Sequence, residues 1–279
     1  MTLKRRLFVL YIDFVKKISL RLKTSSLVDF ERNVDMCFIT IAFNNVFLIE
    51  QQIRLMKKHI KDTNFIYIIA DNSDSKEKRE QIKNLCQKEN VEYISLPFNW
   101  FQKVHTKVCY GHGLSMTWIY HNVIKKLKPK YFGYLDHDIF PINNYSVVEK
   151  IQSQDFFGRL NDRTPENSQK PLWYLWAGFC FFRFDKVKNL NISFYPCVVD
   201  GVYLDTAGSV YLSLYKNYSL SELYFGAPLV EKYFREGDNN HSHLLHFIDN
   251  DWVHTINGSN WKKVKDNKDD FLKDFLNQY

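Results

Sequence analysis

Two acidic side chains lie two positions apart in the segment Asp136-His137-Asp138. They directly follow Tyr131-Phe-Gly-Tyr-Leu135, an apolar and aromatic run that is typical of a buried strand. Side chains at i and i+2 lie on one face of an extended backbone, so these like charges repel each other unless a cation lies near them. Carboxylate oxygens are ligands of hard ions such as Mg²⁺ and Mn²⁺, which also bind substrate phosphates. The pair therefore predicts a metal site for a nucleotide diphosphate, with a hydrogen-bonded turn as the alternative.

A second Asp-x-Asp pattern occurs at Asp249-Asn-Asp251. The two patterns differ in their context. The first pair follows the fourth in a series of predicted strands, and the apolar residues Ile139-Phe-Pro141 continue beyond it. The second pair has no such setting, and we expect it to form a turn without a metal.

The elements that must position the first pair alternate between strand and helix. Apolar runs predict strands at 36–42, 65–70, 91–96 and 131–135, and periodic apolar residues predict helices at 47–59, 75–89 and 114–127. This alternation is typical of a parallel sheet with right-handed crossovers, in which ligands bind at the carboxyl ends of the strands. Asn44 and Asp71 follow the first two strands and are therefore candidate binding residues. The chain has neither a GxGxxG nor a P-loop motif.

The charge distribution argues against a nucleic-acid partner. The 279-residue chain has a net charge of +7, and residues 1–23 hold seven basic side chains and one acid. The remainder is nearly neutral, whereas a nucleic-acid-binding domain is expected to carry a basic stripe. The five cysteines are scattered without a CxxC pair, which predicts neither a disulfide framework nor a zinc site and favours a reduced, cytoplasmic protein.

The basic N-terminal segment has the pattern of an amphipathic helix. Its apolar residues Leu3, Leu7, Leu10, Tyr11, Phe14, Ile18 and Leu22 recur at roughly helical spacing, with most basic residues on the other side. The apolar run is too short to span a bilayer, which needs about 20 residues. A helix of this kind lies on an anionic membrane surface, here the inner face of the cell membrane; the alternative is a helix docked on the protein body. We predict this helix within 1–30, one domain over 31–265 and a short C-terminal helix within 266–279.

These motifs resemble, in order and rough spacing, those of GT-A-fold nucleotide-sugar-dependent glycosyltransferases, and most closely the bacterial envelope-polysaccharide type. Residues 131–138 resemble the strand and DxD motif, and 40–44 and 70–72 resemble the nucleotide-binding half. Residues 176–182 resemble the small-residue turn and strand that follow DxD, and 254–261 resemble the C-terminal His-Gly-Trp segment. The resemblance implies an α/β, Rossmann-like fold with a mostly parallel central sheet flanked by helices.

The resemblance also implies roles for individual residues around a Mn²⁺ or Mg²⁺ ion. Asp138 would ligate the metal, Asp136 would contact the metal, the ribose or a metal-bound water, and His254 would be the third ligand, with His246 as its rival. Asp71 would bind the base or ribose. The other implied donor-binding residues are Ala42, Asn44, Asn72, His112 and Gly113, and the implied substrate-binding residues are Trp176, Gly178, Asp205, Asn260 and Trp261.

Three of these assignments keep a structural alternative. Asp205 precedes Thr-Ala-Gly and a helix-like run at 209–215, so it is either the catalytic base or acceptor-binding acid, or a helix N-cap. The turn Gly111-His112-Gly113 either approaches the donor sugar or only starts a helix. Trp173, Tyr174 and Trp176 either form a platform for an acceptor sugar or pack in the core.

The resulting expectation is a hexosyltransferase that moves a sugar from a nucleotide-diphosphate sugar, with a UDP-sugar favoured, to an oligosaccharide or lipid-linked acceptor. The setting would be the synthesis of a cell-surface polysaccharide such as lipopolysaccharide or capsule. One alternative is a sugar-nucleotide nucleotidyltransferase, although the usual Gly-rich basic loop is absent after the first strand, where Ala42-Phe-Asn-Asn-Val46 stands. The other is a catalytically silent glycan-binding protein on the same fold.

Overall fold

The computed structural model describes residues 3–24, 28–97, 108–166, 168, 170–220, 229–233, 244–255 and 268–279. Its first seven strands are β1 (Met36–Ala42), β2 (Phe65–Asp71), β3 (Glu92–Ser95), β4 (Tyr131–Asp136), β5 (Ile139–Pro141), β6 (Phe156–Asp162) and β7 (Trp173–Arg183). A six-stranded central sheet has the order β3-β2-β1-β4-β7-β6. The first four strands in this order pair in parallel, while β7 runs antiparallel to both of its neighbours.

Helices cover both faces of the central sheet. They are α2 (Val46–His59), α3 (Lys76–Lys88) and α4 (Val108–Ile119), and α4 continues through a wider π turn at 120–124 to Leu127. Alternate residues of β1 face opposite layers: Ile39 packs in the core that contains α4, and Phe38 packs in the core that contains α2 and α3. This two-sided burial explains why β1 is apolar except for Thr40. The predicted mostly parallel α/β sheet flanked by helices is confirmed.

A second, antiparallel sheet adjoins the carboxyl end of β4. It consists of β10 (Val230–Tyr233), β11 (Leu244–Ile248), β12 (Trp252–Thr255) and β5, in that order. The chain turns between β11 and β12 at Asp249-Asn-Asp251, where Asp249 accepts a hydrogen bond from Tyr145 and pairs with Lys150. The turn predicted for this second Asp-x-Asp pattern is confirmed. Its position matters because β12 lies directly beside β5, which continues from the first pattern.

Smaller elements of the described residues flank the two sheets. They are α5 (Val147–Ile151), α6 (Phe184–Val187), the hairpin β8 (Cys197–Val199) and β9 (Val202–Leu204), α7 (Val210–Ser213) and α8 (Lys268–Leu276). α8 lies within the segment predicted for a C-terminal helix and packs through Leu272 and Leu276 on the layer formed by α2 and β5. The domain boundaries themselves stay predictions.

The N-terminal helix α1 (Leu3–Ser19) has two apolar faces. Ile12 and Val15 are buried against the protein body, and the Lys16 ammonium donates a hydrogen bond to Ser193 Oγ at 2.9 Å. A second stripe, formed by Leu7, Leu10, Phe14 and Ile18, is 41–64% exposed. The helix is thus docked, as the alternative expected, but it also presents an apolar stripe to its surroundings. Within the described ranges, no helix is long and apolar enough to cross a membrane.

Two local predictions are wrong. Gly111-His112-Gly113 does not form a turn before a helix, because α4 begins at Val108 and includes all three residues. Ala177 and Gly178 do not form a turn before a strand either, because they lie within the continuous strand β7. Gly113 and Gly178 misled the sequence interpretation because each allows a close approach of neighbouring atoms and not a turn. A Cβ at Gly113 would lie 2.6 Å from the carbonyl oxygen of Phe194.

Candidate active site

Asp136, Asp138 and His254 converge at the carboxyl end of β4. Asp136 is the last residue of β4, and Asp138 lies in the short turn that leads into β5. His254 reaches this turn because β12 pairs with β5 and places His254 opposite Ile139. The Thr255 N–H also donates to the carbonyl of Asp138 at 3.0 Å. One ligand atom from each of the three side chains lies within 4.8 Å of the others.

The two candidate histidine ligands differ in what their rings contact. His254 and His246 lie opposite each other on β12 and β11, and their Nδ1 atoms are 3.4 Å apart. The His254 Nε2 atom faces Asp138 Oδ1 at 3.5 Å, whereas the His246 Nε2 atom faces a Glu231 carboxylate oxygen at 3.2 Å. The Trp176 indole packs edge-on against the His254 ring at 4.8 Å between centroids. The geometry therefore favours His254 over His246 as the third ligand.

The charge balance of this cluster fits a hard divalent cation. Burial and the neighbouring Asp138 carboxylate both raise the pKa of Asp136. Two carboxylates this close together repel each other, and a bound cation would remove that repulsion. Carboxylate oxygens with one imidazole nitrogen form a donor set that suits Mn²⁺ and also accepts Mg²⁺. We conclude that Asp136, Asp138 and His254 fit the predicted metal.

A buried chain of hydrogen bonds holds the Asp-x-Asp turn in place. The Gln52 side-chain amide on α2 donates to the carbonyls of Asp136 at 2.8 Å and Ile139 at 2.7 Å. Gln52 Oε1 accepts from the Tyr67 hydroxyl at 2.7 Å, and that hydroxyl lies 3.0 Å from Thr40 Oγ1. Gln52 is therefore a positioning residue. It lies on the buried side of α2, among apolar residues such as Ile49 and Ile53.

Replacing Gln52 by leucine is expected to loosen this turn. The change removes the donor that Gln52 supplies to these two carbonyl oxygens, and the bond to Ile139 is buried. We expect it to lower the free energy of unfolding by about 1–3 kcal/mol. Loss of a hydrogen bond that orients the metal-ligand turn is also expected to weaken metal binding about 10- to 100-fold. Thermal unfolding and Mn²⁺ titration measure the two effects. Gln51→Leu is the matched control, because the Gln51 side chain contacts Arg54 and not the turn. Equal metal affinities in the two variants would contradict the positioning role.

A cleft of about 660 Å³ opens beside the cluster. Its lining includes His112, Asp136, Arg159, Asn161, Arg163, Tyr174, Trp176, Ala177, Asp205, Thr206, Leu229, His246 and His254. Burial and the nearby His137 lower the pKa of His112 to about 4. Its imidazole is therefore neutral near pH 7 and lies 3.6 Å from Asp136 Oδ1. His112 thus lies in the candidate site, although it projects from a helix and not from the predicted loop.

A bulge in β7 places Trp176 in this cleft. The pairing of β6 with β7 shifts between Gly158 and Leu160, so the residues around Trp176 in β7 bulge out of register. Gly178 lies where the bulge meets the acidic cluster, and a Cβ there would lie 2.4 Å from Asp136 Oδ2. Gly178 is thus needed so that β7 can approach the carboxylate. Trp173 is buried in the core, as one alternative expected, whereas Tyr174 is buried but also borders the cleft.

Asp205 follows β9 at the edge of the cleft. Its N–H donates to the Tyr174 hydroxyl at 3.3 Å, and its Oδ1 accepts the Thr206 N–H at 2.8 Å and the Tyr203 hydroxyl at 3.4 Å. Asp205 is not a helix N-cap, because α7 begins only at Val210. The N-cap alternative is therefore wrong, and the exposed carboxylate is available to a ligand in the cleft.

The four residues predicted for the nucleotide-binding half lie at the carboxyl ends of β1 and β2, outside this cleft lining. Asp71 is buried and accepts hydrogen bonds from the Ser73 N–H and the Tyr93 hydroxyl, and burial raises its pKa. Asn44 has a left-handed backbone (φ 52°), and its side chain bonds Asp74 at 2.6 Å. Ala42 is buried, and its carbonyl accepts the N–H of buried Asn72. Their donor-binding roles stay predictions.

Several predicted residues are not brought into the site by the described structure. Gly113 packs on the 194–195 backbone and is not among the cleft-lining residues. Asn260 and Trp261 lie outside the described residues.

The cleft residues that sequence reasoning missed include Arg159, Asn161 and Arg163. A short signal exists in the sequence, because Arg159 and Asn161 alternate with the apolar Leu160, although Asp162 interrupts the pattern before Arg163. Such alternation predicts a strand with one polar face.

No protein-family model and no curated protein matches the chain. Several solved structures resemble part of the chain. The mannosyltransferase Ktr4p from S. cerevisiae is 12% identical over 66% of this chain and 67% of that chain, with a TM-score of 0.39. The bifunctional glycosyltransferase WbbM is 14% identical over 56% of this chain and 32% of that chain, with a TM-score of 0.36.

A third similar structure is the mannosyltransferase PcManGT from Pyrobaculum calidifontis, in complex with GDP-Man and Mn²⁺. It is 9% identical over 63% of this chain and 52% of that chain, with a TM-score of 0.38. This chain therefore aligns with about a third to two thirds of each of these three proteins. Such weak similarities assign neither a family nor an activity. The chain's own central sheet is mostly parallel, and its Asp-x-Asp turn follows the fourth strand, as the sequence predicted.

Proposed function

We propose that the chain is a metal-dependent glycosyltransferase of the hexosyltransferase class. Its donor would be a nucleotide-diphosphate sugar, with a UDP-sugar favoured, and its acceptor a glycan or lipid-linked saccharide of a cell-surface polysaccharide such as lipopolysaccharide or capsule. The observation that carries this proposal is the convergence of Asp136, Asp138 and His254 beside a cleft that Asp205 also lines. A cleft of about 660 Å³ has the size of a small-molecule site.

The residues in and beside the cleft would have different roles in the proposed reaction. Asp138 and His254 would hold the metal, and Asp136 would contact the metal or the donor ribose. Bound Mn²⁺ or Mg²⁺ supplies positive charge that stabilises the leaving diphosphate. Asp205 would accept the proton of the attacking acceptor hydroxyl, or would orient that hydroxyl if the reaction retains configuration. The Trp176 ring offers a face for a sugar.

The alternatives predict different sites. A nucleotidyltransferase usually carries a Gly-rich basic loop after its first strand. Here that position holds Asn44, whose side chain ties the β1 loop to the β2 loop through Asp74 and the Ser75 N–H. A catalytically silent glycan-binding protein does not need a converging set of metal ligands, so the intact set favours an enzyme.

Nucleotide release from a panel of UDP-, GDP- and dTDP-sugars tests the proposal. We expect one donor to be hydrolysed slowly in Mn²⁺ and release to fall to background when EDTA removes the metal, because the leaving diphosphate then loses its counter-charge. A parallel reaction with UTP and sugar 1-phosphates, assayed for pyrophosphate, detects a nucleotidyltransferase. Absence of release from every donor, with folded protein and added membrane glycolipid, would contradict the proposal.

The exposed stripe of α1 supports a second part of the proposal, a position on the inner face of the cell membrane. Leu7, Leu10 and Phe14 are each more than half exposed, and the segment 1–23 is strongly basic. An apolar stripe with a surplus of positive charge suits the interface of an anionic bilayer. A lipid-linked acceptor would be presented at the same surface.

Replacing Leu10 and Phe14 together by glutamate is expected to lower vesicle affinity more than tenfold. Each apolar side chain contributes about 1.5–3 kcal/mol when it leaves water, and the added acids are repelled by anionic lipid. Co-sedimentation with vesicles of phosphatidylglycerol and phosphatidylcholine measures the change. Val230→Glu, which alters an exposed residue of β10, is the control. If wild type and the double variant bind equally, α1 does not mediate membrane binding.

A further inference from the structure

Two arginines and an asparagine form a polar row on the wall of the cleft away from the acidic cluster. Arg159 and Asn161 lie on β6, and Arg163 follows its last residue. Alternate residues of a strand share one face, and all three border the cleft. In the central sheet, β7 separates β6 from β4, which ends in Asp136. Two strand spacings, about 10 Å, therefore separate this row from the Asp136 strand.

The guanidinium groups of this row carry charge that the described residues do not neutralise. Among the ion pairs formed within that part of the chain, none involves Arg159 or Arg163. Arg159 is half-buried, and its burial lowers the pKa of its guanidinium. A partly buried charge without a partner is costly. An anionic ligand in the cleft would supply the missing partner.

The position of Asp205 indicates which substrate carries that anion. The Asp205 N–H bonds the Tyr174 hydroxyl, and Tyr174 pairs with Asn161 across β6 and β7. The proposed proton acceptor therefore stands on the side of the arginine row. The donor diphosphate belongs with the metal cluster at the end of β4, on the other side of the bulged strand β7.

We propose that Arg159 and Arg163 bind an anionic group of the acceptor, a phosphate or a carboxylate, and so select acidic or phosphate-linked saccharides; this inference rests on the proposed function. A guanidinium binds either group through two parallel hydrogen bonds. With its anion held at β6, the acceptor directs a hydroxyl toward Asp205. Asn161, between the two arginines, is placed to hydrogen-bond the same saccharide.

Calorimetric titration of the full chain with three saccharides of equal length tests this inference. The probes are a neutral oligosaccharide, the same oligosaccharide ending in glucuronic acid, and the neutral one carrying an alkyl phosphate. We expect at least one anionic probe to bind ten times more tightly than the neutral probe. The probe that binds more tightly shows whether the site prefers a carboxylate or a phosphate. Equal affinity for all three probes overturns the inference.

Variants then assign the preference to the arginines. Replacing both Arg159 and Arg163 by glutamine is expected to remove the tenfold preference, whereas Lys188→Gln, an exposed cation elsewhere, keeps it. Arg163 is exposed, so Arg163→Gln alone reports on the site if the double variant fails to fold. Arg159→Lys, which keeps the charge, is expected to retain part of the preference. If the variants weaken the binding of UDP with Mn²⁺ and leave acidic saccharide binding intact, the arginines serve the donor and the inference is wrong.

These titrations require neither turnover nor donor. Their result therefore separates this inference from the proposed function. If the chain prefers an anionic saccharide but releases nucleotide from no donor, the anionic glycan site is supported and the proposed transferase activity is wrong. If the chain releases nucleotide but binds all three saccharides equally, the transferase activity is supported and the proposed arginine site is wrong.

Discussion

Asp138→Ala is expected to lower Mn²⁺-dependent nucleotide release about 10²- to 10³-fold. Groups that stabilise developing charge at a leaving oxygen contribute this much to many enzymes. Asp138 is nine-tenths buried beside His254 and belongs to the cluster whose ligand atoms lie within 4.8 Å. Its loss leaves only one carboxylate and one imidazole for the metal. Release rates over a range of Mn²⁺ concentrations measure the effect, and we expect higher Mn²⁺ to restore activity only in part.

The second Asp-x-Asp pattern provides a matched control for this experiment. Asp251→Ala removes the same side chain from a turn in which Asp251 Oδ1 accepts a hydrogen bond from Asn143 at 3.1 Å. We expect nucleotide release by this variant to match that of the wild type. An Asp138→Ala protein that kept its metal-dependent rate would show that Asp138 does not hold the metal. Loss of activity in both variants would instead indicate a general effect on folding, which thermal unfolding detects.

The part of the fold that the sequence predicted is the part with strong local periodicity. β1, β2 and β4 are predominantly apolar runs, and each forms where expected because both faces of the sheet are covered. The Asp-x-Asp turn was predictable for the same reason, since it ends such a run. His254 could be named only through a resemblance of motifs. Its contact with Asp138 depends on the pairing of β12 with β5, which joins residues more than one hundred positions apart.

Glycines and isolated polar residues account for most of what sequence reasoning missed. Gly113 and Gly178 indicated turns, yet each serves a close approach within a helix or a strand. Such contacts involve residues distant in the chain, so local patterns do not reveal them. Gln52 was missed because one polar residue on an apolar helix face gives no signal of the carbonyls that it binds. Arg159 and Asn161 on β6 were different, because their alternation with the apolar Leu160 is visible in the sequence.

Asp205→Asn is expected to lower sugar transfer to an acceptor about 10²- to 10⁴-fold, the usual contribution of a general base. Asparagine has nearly the same shape and can still accept hydrogen bonds from Thr206 N–H and the Tyr203 hydroxyl. It cannot accept the proton of an attacking hydroxyl. The fall is therefore expected in kcat, with little change in the affinity for the donor nucleotide. Initial rates at several acceptor concentrations, with calorimetric titration of UDP, separate these quantities.

The division of the effect between kcat and KM decides which role Asp205 has. If Asp205 only orients the acceptor, its replacement would raise KM and leave kcat largely intact. The lost interaction would then have stabilised the bound substrate and the transition state equally. Asp200→Asn is the matched control, since Asp200 lies in the turn of the same β8–β9 hairpin with a φ of 48° that asparagine also adopts. We expect this variant to transfer sugar at the wild-type rate. An Asp205→Asn enzyme with unchanged kcat and KM would exclude both roles for Asp205. The next candidate for the proton acceptor would be His112, the neutral imidazole in the same cleft.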